Sequence, residues 1–188
     1  MRDQTSIRLL DVLLASIGLL LLWPLLALIT VVGYFDTGSP LLRQQRVGRG
    51  ERIFTLVKFR TMRVGTPHVA THLATATAIT PIGAVLRRLK LDELPQLWNV
   101  LCGDMSLVGP RPCLPNQREL IEERQRYGLY AVRPGITGLA QIQGVDMSDP
   151  VVLVQYERQM LASFSVRSYF QYLVLTVLGK GRGDRVLK

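Results

Sequence analysis

Asp92 and Glu93 stand side by side in KLDELPQLWN, Lys90 to Asn99, directly after the cations Arg87, Arg88 and Lys90. Two further basic segments occur elsewhere in the chain: Lys58-Phe59-Arg60-Thr61-Met62, and the Gly/Pro-bounded run from Gly103 to Pro112 that presents Arg111. A carboxylate pair suits Mg²⁺, which normally takes one or two protein carboxylates together with substrate phosphates. Guanidinium forks match phosphate oxygens. Acids set among arginines therefore fit a metal-bound diphosphate. The competing reading is structural. Asp is a preferred helix N-cap, acids in a first turn complement the helix dipole, and any one basic cluster alone is more often a solvated face. Three basic segments around one acid pair weigh toward chemistry.

The whole chain shares that bias. Its 188 residues carry 23 Lys+Arg against 14 Asp+Glu, a formal charge of +9. This favours nucleic acid, an anionic membrane surface or a phosphate-rich substrate. The basic residues lack the aromatic interleaving of single-strand binders, so no nucleic-acid partner is expected. Cys102 and Cys113 have no metal-ligand spacing and read as free thiols on the cytoplasmic side. His68 and His72 lie four apart among small polar residues, too few ligands for a zinc site.

Val12 to Val32 reads VLLASIGLLLLWPLLALITVV, without a charge. As one straight helix it would measure about 31 Å, enough to cross the hydrocarbon core. A cleaved signal peptide fits poorly, since the run is long and no small-x-small site follows it. Pro24 lies near the middle and predicts a kink. Both flanks are cationic, with Arg2 and Arg8 before the run and Arg43, Arg46, Arg49, Arg52, Lys58, Arg60 and Arg63 after it. Cationic flanks prefer the cytoplasm, so a segment entering and leaving by one face explains both. Each arm would be about 18 Å long, reaching mid-bilayer. A kinked single-span anchor is the other reading. Asp11, near Arg8, is expected as a paired interfacial charge.

Residues 39–62 read as two extended runs joined by a turn around Gly48-Arg49-Gly50-Glu51, and 64–79 as a surface loop. Thr80-Pro81 opens a helix whose apolar face would be Ile82, Val85, Leu86 and Leu89. Pro95 requires a break or fresh start near Leu91-Asp92, with a helix to about Leu101 burying Leu94, Leu97, Trp98 and Leu101 before Gly103 ends it. Asp149-Pro150 opens an amphipathic helix to about Ser163. Ser165 to Leu178 forms a very apolar helix suited to a membrane interface. The fold class is α+β and mainly helical. Residues 1–35 are expected to form a re-entrant membrane helix-hairpin kinked at Pro24, with the single-span anchor as the alternative. Residues 36–188 form a compact catalytic domain with a short β-hairpin and amphipathic interfacial helices.

The apolar N-terminal segment followed by SPLLRQQRVG, KFRTM, LDELPQLWNVLCGDMSLVGPRP and RPGITGLAQIQG resembles the monotopic phosphoglycosyl transferases, the bacterial sugar transferase family. The resemblance runs from about Arg8 to the last helices. It implies a re-entrant helix on the cytoplasmic face of the bacterial inner membrane. The implied reaction transfers a sugar-1-phosphate from a UDP-sugar to polyprenyl (undecaprenyl) phosphate, releasing UMP and beginning glycoconjugate or polysaccharide assembly. In the implied mechanism Asp92 attacks the β-phosphorus and holds the phospho-sugar as an acyl phosphate. Glu93, with Asp92, would hold Mg²⁺. Arg87 and Arg111 match the positions of phosphate-contacting arginines, with Lys58, Arg60 and Arg46 as weaker matches. The implied partners are the UDP-sugar, polyprenyl phosphate and inner-membrane lipids, and a homodimer is left open.

The chain departs from the family after RPGITGLAQIQG, where Val145-Asp146-Met147-Ser148 replaces a frequent basic residue; this touches one phosphate or sugar contact and any transfer of sugar identity. The length suggests a catalytic unit without an additional multi-span domain. Two other functions remain alternatives: a membrane-anchored module binding anionic lipid or a partner, with Asp92 as a cap, and a phosphatase working through an aspartyl-phosphate.

Overall fold

The computed structural model describes residues 2–66 and 76–181. His68, His72 and most of the expected 64–79 loop lie outside the described residues. The first element, α1 (Arg2–Thr37), is a single helix of 36 residues that runs through Pro24 without a break. The two arms of a helix-hairpin are therefore not separate elements. Its apolar section, Thr5–Thr37, is long and apolar enough to cross a membrane. Ile7, Asp11, Ala15, Ile29 and Gly33 are buried, and Gly18 lies against Leu97. These positions recur with the helical period, so one face of α1 touches the rest of the protein from end to end. The opposite face leaves Leu13, Leu20, Leu21, Leu28 and Phe35 exposed.

The expected hairpin is present. Strands β1 (Leu41–Val47) and β2 (Ile53–Phe59) pair antiparallel from Leu41↔Phe59 to Val47↔Ile53. The turn between them is a short 3-10 segment, Arg49–Glu51, in which Gly50 takes a left-handed φ of 62°. Helix α2 (Pro81–Arg88) begins as its sequence predicts, with Thr80 Oγ1 accepting the Gly83 N–H at 2.9 Å. The same hydroxyl donates to Asp36 Oδ2 at 2.6 Å, tying α2 to the end of α1. Only half of the expected apolar face of α2 is covered. Leu86 is buried and Ile82 packs beside it, whereas Val85 and Leu89 are exposed. Gly83 sits on the Thr61 backbone, and this close approach sets which side of so short a helix faces inward.

Lys90 takes a left-handed conformation (φ 57°, ψ 21°) and turns the chain into a 3-10 segment, Leu91–Glu93. Helix α3 (Gln96–Cys102) follows and ends at Gly103, φ 90°, as expected. Its inward residues differ from the expectation. Gln96, Asn99 and Val100 are buried, Leu94, Leu97 and Leu101 are half-buried, and Trp98 is 59% exposed. The cause is Asn99, whose Oδ1 accepts Val57 N–H at 3.0 Å and whose Nδ2 donates to Thr55 O at 2.8 Å. That side chain acts as a third strand against β2 and turns Trp98 outward.

Two three-residue strands, β3 (Ser106–Val108) and β4 (Gly135–Thr137), pair in parallel. Between them lies α4 (Arg118–Arg126), and after them come α5 (Leu139–Ile142), α6 (Pro150–Ala162) and α7 (Val166–Val177). The last two start as expected: Asp149 caps α6 through Val152 N–H, and Ser165 forms a capping box on α7. Along α7, Val166, Phe170, Val174 and Val177 form an exposed apolar stripe, while Tyr169 and Tyr172 are buried. One core joins α1, α3, β3 and α7 through Ile7, Ala15, Val100, Met105, Leu107 and Tyr169. A smaller cluster of Ile29, Phe59 and Leu86 supports the turn carrying Asp92.

Near the start of α1 the expected Arg8–Asp11 pair is replaced by two separate roles. Arg8 donates to the carbonyls of Val100 at 2.6 Å and Leu101 at 3.1 Å, a cation at the C-terminal end of α3. Asp11, 1% exposed, accepts from Ser106 Oγ, Leu107 N–H and Tyr169 OH. Cys102 and Cys113 are both free thiols, as read from their spacing.

Candidate active site

The 3-10 turn after Lys90 delivers both acids to the wall of a cleft of about 240 Å³. Asp92 caps no helix there: α3 starts beyond it, with Pro95 at the cap position. This removes the N-cap role that competed with chemistry. Lys58 from β2, Arg87 from α2 and Arg111 from the turn after β3 line the same cleft, so both stronger phosphate-binding candidates and one of the weaker ones converge on the acid pair.

Arg111 and Arg87 are both held in place by side-chain partners. Arg111 Nη2 donates to Glu93 Oε1 at 2.8 Å, fixing the orientation of both groups. The backbone of that turn is gripped on two sides. Arg124 Nη2 donates to the Arg111 carbonyl at 2.8 Å and Arg46 Nη1 to the Pro112 carbonyl at 2.9 Å. Arg124 is itself buried against Glu157, its Nε donating to Oε2 at 2.9 Å. Arg87 Nε donates to Thr61 Oγ1 at 2.9 Å. Lys90 Nζ donates to the Lys180 carbonyl at 2.8 Å.

Burial decides the charge balance. Asp92 is 8% exposed, and its carboxyl is raised to about 6 by burial and then by the adjacent Glu93 charge, against the pull of Lys58, Arg87 and Arg111. The surrounding cations therefore do not hold it at an ordinary carboxylate value. Near neutral pH it is still mostly ionised. Lys58 is lowered to about 8, first by burial and then by Arg46, with Arg111 and Arg87 adding to the effect and Asp92 opposing it. The cleft thus holds a basic carboxylate beside a cation that gives up its proton unusually easily. The crowding of cations that helps lower Lys58 favours entry of a multivalent anion, while the ionised acid pair opposes it.

The match to known proteins completes this picture. The family model described as bacterial sugar transferase matches residues 2–181. The chain belongs to the bacterial sugar transferase family. Its relatives include the UDP-glucose:undecaprenyl-phosphate glucose-1-phosphate transferase of Xanthomonas campestris pv. campestris, 40% identical over 179 residues, covering 89% of this chain and 37% of that protein. The exopolysaccharide production protein ExoY of Rhizobium meliloti is 38% identical over 174 residues, covering 83% of this chain and 76% of ExoY. The UDP-N-acetylgalactosamine-undecaprenyl-phosphate N-acetylgalactosaminephosphotransferase of Aeromonas hydrophila is 35% identical, covering 83% of this chain and 39% of that protein. The chain thus spans well under half the length of the Xanthomonas and Aeromonas proteins.

Two of the family-derived positions stand away from the cleft. Arg60 donates through Nε to the Ser39 carbonyl at 2.8 Å, and Arg46 lies behind the Arg111-Pro112 turn with Gln44 and Pro112 as partners. Other cleft residues escaped sequence reasoning: Ile136, Thr137, Gln141 and Thr176. Thr137 and Thr176 share a hydrogen bond of 2.6 Å, and Gln141 Nε2 is buried without a hydrogen-bond partner among the described residues. Nothing in their residue types points to a site. The sequence signal for Thr137 and Gln141 is that both lie within the RPGITGLAQIQG motif. Among the described residues there is no group of three or more His, Cys, Asp or Glu that could hold a metal ion.

Proposed function

We propose that this protein transfers a sugar-1-phosphate from a UDP-sugar to polyprenyl phosphate on the cytoplasmic face of the bacterial inner membrane, through a covalent intermediate on Asp92. The observation carrying this reading is the convergence of Asp92, Glu93, Lys58, Arg87 and Arg111 on one cleft, with Asp92 released from any capping role. An Asp92 carboxylate oxygen attacks the β-phosphorus. The bond from that phosphorus to the bridging oxygen breaks, and UMP departs with the electron pair. A polyprenyl phosphate oxygen then attacks the same phosphorus, forming the lipid diphosphate sugar and returning Asp92 as a carboxylate. One phosphoanhydride is exchanged for another, so no further energy source is needed. Splitting the exchange lets the soluble donor and the membrane-bound acceptor use the cleft in turn. Lys58, Arg87 and Arg111 orient the diphosphate and offset the charge spread over the transferring oxygens.

The donors fit Mg²⁺. Glu93 charge raises Asp92, and a divalent ion between them would relieve that repulsion while leaving ligand positions for phosphate. Asp92 and Glu93 would hold it, and the ion would supply charge neutralisation at the diphosphate.

Membrane placement follows from α1. Arg8 and Asp36, at its two ends, both bond to the same globular body, which favours both flanks lying on one side of the bilayer. With its outer face apolar and the stripe on α7 exposed, the domain would sit at headgroup depth, where the acceptor phosphate lies. The deciding experiment supplies UDP-sugars singly, with Mg²⁺ and no acceptor. The correct donor gives a stoichiometric burst of UMP and adds the mass of one sugar phosphate to the peptide containing Asp92. Inorganic phosphate without lipid product would instead establish the phosphatase alternative, and neither burst nor adduct would overturn catalysis by this cleft.

A further inference from the structure

A second cavity, of about 230 Å³, lies across the β3–β4 pair and shares no lining residue with the Asp92 cleft. Three guanidiniums from distant parts of the chain line it: Arg8 in the first turns of α1, Arg49 in the hairpin turn and Arg133 just before β4. Ile7, Val132, Leu161 and Phe164 supply apolar wall. We propose that this cavity binds the phosphate headgroup of an anionic membrane phospholipid.

The charge count is one-sided. Among the described residues Asp11 is the only acid in the lining, and its Oδ1 already accepts from Ser106 Oγ at 3.1 Å, Leu107 N–H at 2.9 Å and Tyr169 OH at 2.9 Å. Among the described residues, none of the three arginines forms a salt bridge with a carboxylate. Arg133 is held below the usual guanidinium value by burial and then by Arg8 and Arg49, as expected where like charges crowd. An anion between them removes that repulsion.

Two of the three are also fixed in place. Arg8 is bonded to the Val100 and Leu101 carbonyls, and Arg133 Nε donates to the Gly103 carbonyl at 2.8 Å. A guanidinium has five N–H donors, so both retain donors beyond these bonds. Fixed donors around a pocket bind phosphate with little ordering cost.

The apolar half of the lining selects the occupant. A free phosphate has no use for Phe164 and Leu161. A phospholipid does, because its glycerol can lie against them while its acyl chains continue along α1, whose exposed apolar side chains begin at Leu9 and Leu13. The proposal rests on the membrane placement given above and not on the chemistry at Asp92.

Native mass spectrometry of the detergent-purified full chain tests it, with phosphatidylglycerol, phosphatidylcholine, sodium phosphate and polyprenyl phosphate each added as probe. The wild type should retain one phosphatidylglycerol at concentrations where phosphatidylcholine is lost. Arg49→Glu lies in an exposed turn, and should lower that retention by about tenfold or more, the loss expected for one charge-assisted phosphate contact. Its melting temperature and its UMP burst should match the wild type, which separates this site from the Asp92 cleft. Arg133→Gln should weaken retention similarly. Equal retention of the two phospholipids, or unchanged retention in Arg49→Glu, overturns the proposal. So does full displacement by millimolar sodium phosphate, which would mark a free-anion site, or preferential Arg49-dependent capture of polyprenyl phosphate, which would mark an acceptor site.

Discussion

Replacing Asp92 by Asn should abolish UMP release and at the same time make the protein more stable. Burial and Glu93 raise the Asp92 carboxyl from its ordinary 3.8 to about 6 in the folded chain. A carboxyl raised on folding contributes stability below its unfolded pKa, and that contribution is lost as pH climbs through the folded value. Above pH 6 the ionised wild-type side chain is therefore a net cost. A shift of roughly two units corresponds to ~3 kcal/mol. Asn carries no charge at any pH, so the variant escapes this cost. For a chain of this size ~3 kcal/mol corresponds to roughly 6–12 °C in melting temperature.

The assay is thermal unfolding in detergent, without donor or metal, at pH 7 and at pH 4. Asp92→Asn should melt well above the wild type at pH 7, and most of the gap should close at pH 4, where Asp92 is protonated in the folded wild type and close to half protonated when unfolded. A helix-cap role predicts almost no difference at either pH, since Asn caps about as well as Asp. If the variant melts below the wild type at pH 7, or if the gap ignores pH, the carboxylate is not held against its own stability. If it still releases UMP, Asp92 is not the nucleophile.

Glu93→Gln should lower turnover by more than ~100-fold, and excess EDTA should abolish it; undiminished activity in chelator would remove the metal from the mechanism. In a Cys102→Ser, Cys113→Ala background, cysteines placed at Asp3 and at Arg43 should react equally with a membrane-impermeant reagent added from the cytoplasmic side. Opposite-side reactivity would restore a single membrane crossing. Asn99→Ala should lower stability by ~2–4 kcal/mol, because the Val57 N–H and the Thr55 carbonyl both lose their partner. A melting temperature within a degree of the wild type would show that β2 does not depend on that bridge.

Local rules made much of the fold legible. The turn at Gly48–Glu51, the Thr80-Pro81 start of α2, the Asp149-Pro150 start of α6 and the Gly103 stop of α3 each depend on conformations that a few neighbouring residues determine. What escaped was set by distant partners. Strands β3 and β4 are three residues each, too short for an alternating pattern, and they meet through the close approach of Gly109 and Gly135. Trp98 reads as core by type, but Asn99 claims the inward position because two backbone groups of β2 need its amide. Asp11 reads as an interfacial charge paired with Arg8, yet three donors from β3 and α7 make burial tolerable.

The arginines show most sharply where residue type stops being informative. A guanidinium suits phosphate and carbonyl oxygen alike, so composition cannot distinguish a substrate ligand from a brace. Arg87 and Arg111 reach the cleft, whereas Arg8, Arg46, Arg60 and Arg124 bond the chain's own carbonyls. The two sets work together. Arg46 and Arg124 hold the carbonyls on either side of the Arg111-Pro112 bond, and only then does Arg111 stand against Glu93. A bracing arginine still keeps its positive charge, and the lowered value of Lys58 records Arg46 from behind the cleft wall. The basic excess therefore acts twice: its hydrogen bonds build the turn that presents Arg111, and its field makes the cleft a favourable place for a diphosphate.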